Sequence, residues 1–140
     1  MTKQNIENTE ISKYDGLLAM YSLLDQRITS KCNDDFLSFI RLMAPTLVSD
    51  WKMGKHIRVL ADKLQKVKEG KIKRLMVFLP PRSSKSVICS KLFPAWYIGN
   101  NPEHEILTIS HSDQLSSDFG RSVRDMVGMD KFQEIFKGVT

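Results

Sequence analysis

The stretch LMVFLPPRSSKS, residues 75–86, changes character halfway along, from an uninterrupted apolar run to prolines, serines and cations. A short apolar run bounded by turn residues is typical of a strand buried on both faces, as in a parallel sheet. Downstream of the run, apolar side chains between Val87 and Trp96 recur at helical spacing. The stretch therefore predicts a strand, a tight loop and a helix in succession.

A strand-to-helix loop of this kind suits a nucleoside triphosphate. Backbone N–H groups and the positive end of the helix bind the phosphates, a lysine reaches the β and γ oxygens, and the next hydroxyl holds Mg²⁺. Lys85 and Ser86 occupy those last two positions. The predicted nucleotide-binding residues of the loop are Pro81, Arg82, Ser83, Ser84, Lys85 and Ser86, with Ser86 as the metal ligand.

The loop departs twice from the usual spacing GxxxxGK[ST], because Leu79 and Ser84 stand at the two glycine positions. The alternative interpretation is a simple turn, in which Ser83 or Ser84 caps the next helix. One feature favours a ligand: a cap does not need Arg82 and Lys85 together. Two cations at a helix N-terminus oppose its dipole, and an anion between them would remove that cost.

The rest of the chain extends the α/β pattern. Apolar residues at helical spacing predict helices over 14–28, over 55–68 and over 115–127, and over a shorter stretch that starts at Asn33 or Asp34 and stops at Pro45. Glu105 to Ser110 (EILTIS) predicts a second strand. We therefore expect an α/β fold: an N-terminal helical segment, residues 1–50, followed by an incomplete P-loop NTPase domain of the RecA-like type with a parallel sheet, residues 51–140.

Charge and composition are those of a globular protein that handles a polyanion. The net charge is +5, and residues 51–91 hold twelve lysines and arginines against two acidic residues. Such a basic centre suits a nucleotide or a nucleic acid, although solvated helix faces also carry lysine. No apolar run approaches the length of a membrane span, and two isolated cysteines indicate reduced thiols in a cytosolic protein.

Read together, motifs across residues 51–124 resemble the start of the ATPase domain of the large subunit of tailed-phage terminases, the DNA-packaging motors. They cover a little over half of the chain. The motifs are Trp51 and His56 at a helix start, EGKIKRL (69–75), PPR (80–82) before Lys85-Ser86, FPAW (93–96), Asn101-Pro102, SHS (110–112) and FGRSVR (119–124).

The resemblance implies roles for individual residues. Lys85 would bind the β and γ phosphates of ATP and Ser86 the Mg²⁺, while Arg82 would act catalytically on the γ-phosphate. His56 matches a side chain that reads the adenine, and its alternative is a helix-start residue bonded to backbone. Ser110 matches a polar residue facing the nucleotide.

The resemblance also implies partners. They are double-stranded DNA, the terminase small subunit, the portal protein and further copies in a ring, in the host cytoplasm and without a membrane. Arg121 and Arg124 match an arginine signature that touches DNA or a neighbouring subunit, and their alternative is a solvated helix face. The acidic strand needed for hydrolysis and a nuclease metal cluster are not found, so we expect this chain alone to hydrolyse ATP poorly.

Two other functions stay open on the residues alone. One is a different P-loop ATPase, such as a helicase-like remodeller. The other is a non-catalytic basic module that binds nucleic acid or a partner protein, with the loop as a capped turn. Binding of an ATP analogue separates the module from both ATPases.

Overall fold

The computed structural model describes the backbone of residues 3–139 and the side chains of residues 18–139. Every regular element within residues 3–139 is helical. The elements are α1 (Lys3–Asp34), α2 (Phe36–Leu47), α3 (Lys55–Lys68), α4 (Lys85–Val87), a π-helical turn (Ile88–Leu92), α5 (Phe93–Asn100), α6 (Asp113–Val127) and α7 (Asp130–Ile135).

The predicted α/β parallel sheet is therefore wrong. Neither residues 75–79 nor residues 105–110 form a strand, and neither segment makes a backbone–backbone hydrogen bond in the described part of the chain. A strand exists only through pairing, so an apolar run without a neighbouring strand stays an irregular segment. The run is also not buried on both faces: Leu75 packs partly against the core, whereas Met76 and Phe78 are 82% and 84% exposed.

The predicted helices before the loop are present, but α1 (Lys3–Asp34) extends beyond the predicted 14–28 at both ends, and the ends of α2 are shifted. Helix α2 begins one or two residues later than predicted, because Asp35 is the N-cap and its carboxylate accepts a hydrogen bond from the Ser38 amide at 2.8 Å. It also runs through Pro45 to Leu47. The fixed φ of proline suits helical backbone, and α2 ends two residues after Pro45.

Helix α3 matches its predicted bounds, 55–68, and its inner face buries Ile57, Leu60 and Leu64. Gly70 follows the C-cap residue Glu69, and its φ of 72° is left-handed. This conformation lets the following Lys71 amide donate back to the Lys66 carbonyl at 2.9 Å.

After the loop, α4, the π-helical turn and α5 follow one another without a gap from 85 to 100. Pro94 lies at the start of α5. The π-helical turn precedes it directly, and there the Phe93 amide donates to the Ile88 carbonyl five residues back. The wider turn accommodates the proline without ending the helix.

The core lies around α2 and is rich in aromatic rings. Phe36, Phe39, Trp96 and Phe132 are fully buried, and the ring centroids of Phe36 and Trp96 are 5.0 Å apart. The same core takes in residues from α1, α3, the π-helical turn, α6 and α7. It anchors the helix that follows the loop.

Side chains from two other helices cap the C-terminal end of α1, where backbone carbonyls lack intrahelical partners. Trp96 Nε1 donates to the Cys32 carbonyl at 2.9 Å, and Asn100 Nδ2 donates to the Asn33 carbonyl at 3.1 Å. Gln65 Nε2 donates to the Asp34 carbonyl at 3.0 Å. These bonds connect α1 to α3 and α5.

No helix in the described residues combines the length and apolarity needed to cross a bilayer.

Candidate phosphate-binding loop

The loop between residue 79 and α4 has an unusual backbone. Arg82 and Ser84 both have φ of 61°, in the left-handed region that favours glycine. The Ser83 hydroxyl donates to the Pro80 carbonyl at 2.7 Å and holds the turn closed. Ser84 in the left-handed conformation precedes Lys85 at the helix start, and such a pair directs successive amides toward one point, a geometry that binds anions.

Neither serine acts as the side-chain cap that the alternative interpretation requires. Ser84 is the N-cap residue of α4, yet its side chain makes no capping bond. The Ser83 hydroxyl is engaged with Pro80 rather than with the helix. The first amides of a helix have no intrahelical partner, so those of Lys85 and Ser86 are free to bind a ligand.

The loop encloses a cavity of about 390 Å³, and this cavity is lined by residues 79–87. All six loop residues predicted to bind the nucleotide line it. They are Pro81, Arg82, Ser83, Ser84, Lys85 and Ser86. The structure thus brings them together around one space.

The loop cavity carries positive charge without a neutralising carboxylate. Within the described residues, neither Arg82 nor Lys85 has an acidic group within the 4.0 Å of a salt bridge. Both cations stand at the positive end of a helix, an arrangement that an anion stabilises. Among the described residues, no three or more His, Cys, Asp or Glu side chains cluster where they could hold a metal ion. Ser86 is the one predicted metal ligand.

His56 reaches the loop from a distant part of the sequence. It lies in the first turn of α3, and its Nε2 is 3.3 Å from the carbonyl oxygen of Ser83. Gly54, the N-cap of α3, permits this position, because a Cβ there would come 2.6 Å from His56 Cε1. Sequence reasoning picked out His56 but missed Gly54, although a glycine directly before a helix was a visible signal.

Three further predicted residues lie away from the loop cavity. Ser110 does not line it, and its hydroxyl is buried without a hydrogen-bond partner among the described residues. Arg121 and Arg124 are exposed on α6, paired at 3.3 Å with Asp118 and Asp125 respectively. These arginines do not line the loop cavity.

A second cavity, of about 540 Å³, was not predicted. It lies between the α5 region and the segment 105–109, with Cys89, Phe93 and Tyr97 among its lining residues. Burial raises the pKa of the Cys89 thiol, while the charge of Lys85 lowers it by less. The lining of this second cavity is mostly apolar and includes no lysine or arginine that could bind a phosphate.

In comparisons with known proteins, no family model, no curated protein and no solved structure matches this chain. The resemblance to terminase large subunits therefore stays a prediction that depends on the motifs.

Proposed function

We propose that the loop 80–86 binds the triphosphate of ATP with Mg²⁺, and that the chain is the nucleotide-binding N-terminal portion of a phage terminase large subunit. One observation carries the binding proposal. The cavity of about 390 Å³ combines left-handed backbone at Arg82 and Ser84 with unpaired cations at a helix start. The chemistry depends on this turn and on the helix that follows it.

Each side chain has a distinct task in the proposed site. The Lys85 ammonium balances charge on the β and γ phosphates, and the amides at the helix start bind the same oxygens. The Ser86 hydroxyl would hold the Mg²⁺ that accompanies the nucleotide. Arg82 reaches the γ-phosphate and stabilises the negative charge that develops there during transfer.

The motor proposal adds partners of matching chemistry. In it, ATP binding and release drive the translocation of double-stranded DNA into a prohead, in the host cytoplasm. Arg121 and Arg124 are exposed and face away from the core, as a DNA or subunit contact requires. The terminase small subunit, the portal protein and further copies in a ring complete the proposed assembly.

The test is calorimetric binding of a non-hydrolysable ATP analogue with Mg²⁺. We expect Lys85→Ala to weaken binding by about tenfold to a hundredfold, because it removes a charged hydrogen-bond donor. Lys131→Ala, an exposed lysine on α7, is the matched control and should bind as the unmodified chain does. Equal affinities of both variants would overturn the proposal.

Duplex DNA binding, measured on the same variants, separates the motor portion from the basic nucleic-acid-binding module. A motor portion loses nucleotide affinity with Lys85→Ala and keeps its DNA affinity. A basic nucleic-acid-binding module instead binds DNA and shows no nucleotide affinity in any variant.

A further inference from the structure

Helix α1 leaves its apolar side chains in water. Between residues 18 and 28 nearly every side chain is exposed, and the helix enters the core at Cys32, which is 1% exposed. The large apolar residues there are between 45% and 66% exposed: Leu18, Met20, Tyr21, Leu23, Leu24 and Ile28. A helix that projects from the body gains little stability from its own hydrogen bonds, because helices owe most of their stability to packing.

The spacing of these residues indicates what covers them. Tyr21, Leu24 and Ile28 follow one another at three and four residues, and the sequence continues this spacing upstream to Leu17 and Tyr14. Alternation of three and four places the residues at positions a and d of a heptad repeat. The structure describes side chains from residue 18 onward, so the positions of Tyr14 and Leu17 in the repeat follow from their spacing alone.

We propose that residues 14–28 of α1 form a two-stranded coiled coil with the same helix of a second copy of this chain. The heptad seam consists of the a and d positions in this range. Such a seam requires a second helix with the same repeat, and a second copy supplies one. The seam stops where the body begins, since Lys31 takes the next d position and Cys32 is buried.

The neighbouring positions agree with this partner. Leu18 and Met20 flank the seam and widen its apolar face, while Asp25 and Arg27 flank it further along. In neither relative orientation does this set place two like charges opposite each other. A groove of about 240 Å³ at the base of the seam, partly lined by Ile28, leaves room for the end of the second helix.

The available area is that of a weak to moderate dimer. Without Leu23, which lies off the seam, five exposed apolar side chains remain on each helix, and two helices could bury at most roughly 1,000 Å² through them, somewhat below the roughly 1,200 Å² of the smallest stable interfaces. Dimerisation in the micromolar range is the expected result.

The experiment measures the oligomeric state of the full chain by sedimentation equilibrium across the micromolar range. We expect a reversible dimer, and Leu24→Glu should raise its dissociation constant by about a hundredfold or more, because it buries a charge in the seam. Leu23→Glu is the matched control. Leu23 is the adjacent residue and is 59% exposed, but it lies off the seam, so this variant should remain a dimer.

Two further controls make the outcome decisive. The near-ultraviolet circular dichroism, to which the buried Trp96 contributes, should be unchanged in Leu24→Glu, because Leu24 lies outside the core. Phe78→Ser, which removes an exposed apolar group elsewhere, should leave the dimer intact. The proposal is overturned if the unmodified chain stays monomeric, if Leu23→Glu dissociates as readily as Leu24→Glu, or if Phe78→Ser alone abolishes association.

Discussion

At the scale of single residues, Ser84 stores strain in the loop. A non-glycine residue in the left-handed region costs about 1–2 kcal/mol relative to right-handed backbone. Ser84→Gly should therefore raise the free energy of unfolding by about 1 kcal/mol, visible as a melting temperature higher by about 3 °C. Ser84→Ala keeps the strain and should show no such gain. An increase in the alanine variant as large as in the glycine variant would contradict a strained turn at this position.

The contact between His56 and the loop can be tested through Gly54. Its φ of −79° suits any residue, so Gly54→Ala brings the clash with the His56 ring without backbone strain, besides the small loss of a favoured N-cap residue. We expect that variant to cost about 1 kcal/mol in urea unfolding, the value of one hydrogen bond. In a His56→Ala background the cost should largely disappear, since the ring is gone. Additive effects of the two substitutions would show that the residues act independently.

Cys32 makes stability depend on pH at the alkaline end. Burial, followed by the charge of Asp35, raises the pKa of its thiol to about 11, while Lys31 lowers it by less. The unfolded thiol ionises first, near pH 9, so the folded state keeps a proton that the unfolded state has lost. Stability is therefore full below about pH 9 and falls as the pH rises toward 11, by about 2 kcal/mol.

The control for this pH dependence is Cys32→Ala. It loses some packing at every pH but should lack the component of the decline that comes from the thiol. Parallel stability curves for both proteins between pH 8 and pH 11 would refute the assignment to Cys32, since tyrosines and lysines are common to both.

At the scale of elements, the start of α2 distinguishes two adjacent aspartates. Asp35 accepts hydrogen bonds from the amide and the hydroxyl of Ser38, whereas the exposed Asp34 side chain makes no hydrogen bond among the described residues. Asp35→Ala should cost about 1 kcal/mol of unfolding free energy, and Asp34→Ala close to nothing. Chemical denaturation of both variants is the measurement. Equal losses would mean that the helix begins elsewhere.

At the scale of the whole molecule, the segment 75–79 presents two different faces. Phe78 is 84% exposed, whereas Val77 packs partly against the core. Phe78→Ser should therefore leave the melting temperature nearly unchanged and reduce aggregation, because it removes an exposed apolar group. Val77→Ser should lower stability by about 1–3 kcal/mol through lost burial. Light scattering and thermal unfolding test the pair, and comparable destabilisation by both would indicate that Phe78 is buried in solution.

The sequence by itself indicated most of the helices and the loop, although α1 extends beyond the predicted 14–28 and α7 was not predicted. Helical periodicity placed α3 at about 55–68, because spacing is a local property of the chain. Residues 81–86 were selected by their position between the apolar run and the helix, and all six line the cavity. End signals were less reliable where several acidic residues compete, as at Asp34 and Asp35.

Only the tertiary structure decided what those elements meet. The runs 75–79 and 105–110 looked like strands, but strands need paired neighbours, and apolar composition cannot supply them. His56 meets Ser83, 27 positions along the chain, through packing of α3 on the loop, a contact that no local pattern encodes. The left-handed backbone at Arg82 and Ser84 likewise arises from the closing of the turn, since neither residue type prefers it. Local preferences act over a few residues, whereas pairing, burial and turn closure depend on parts of the chain that folding brings together.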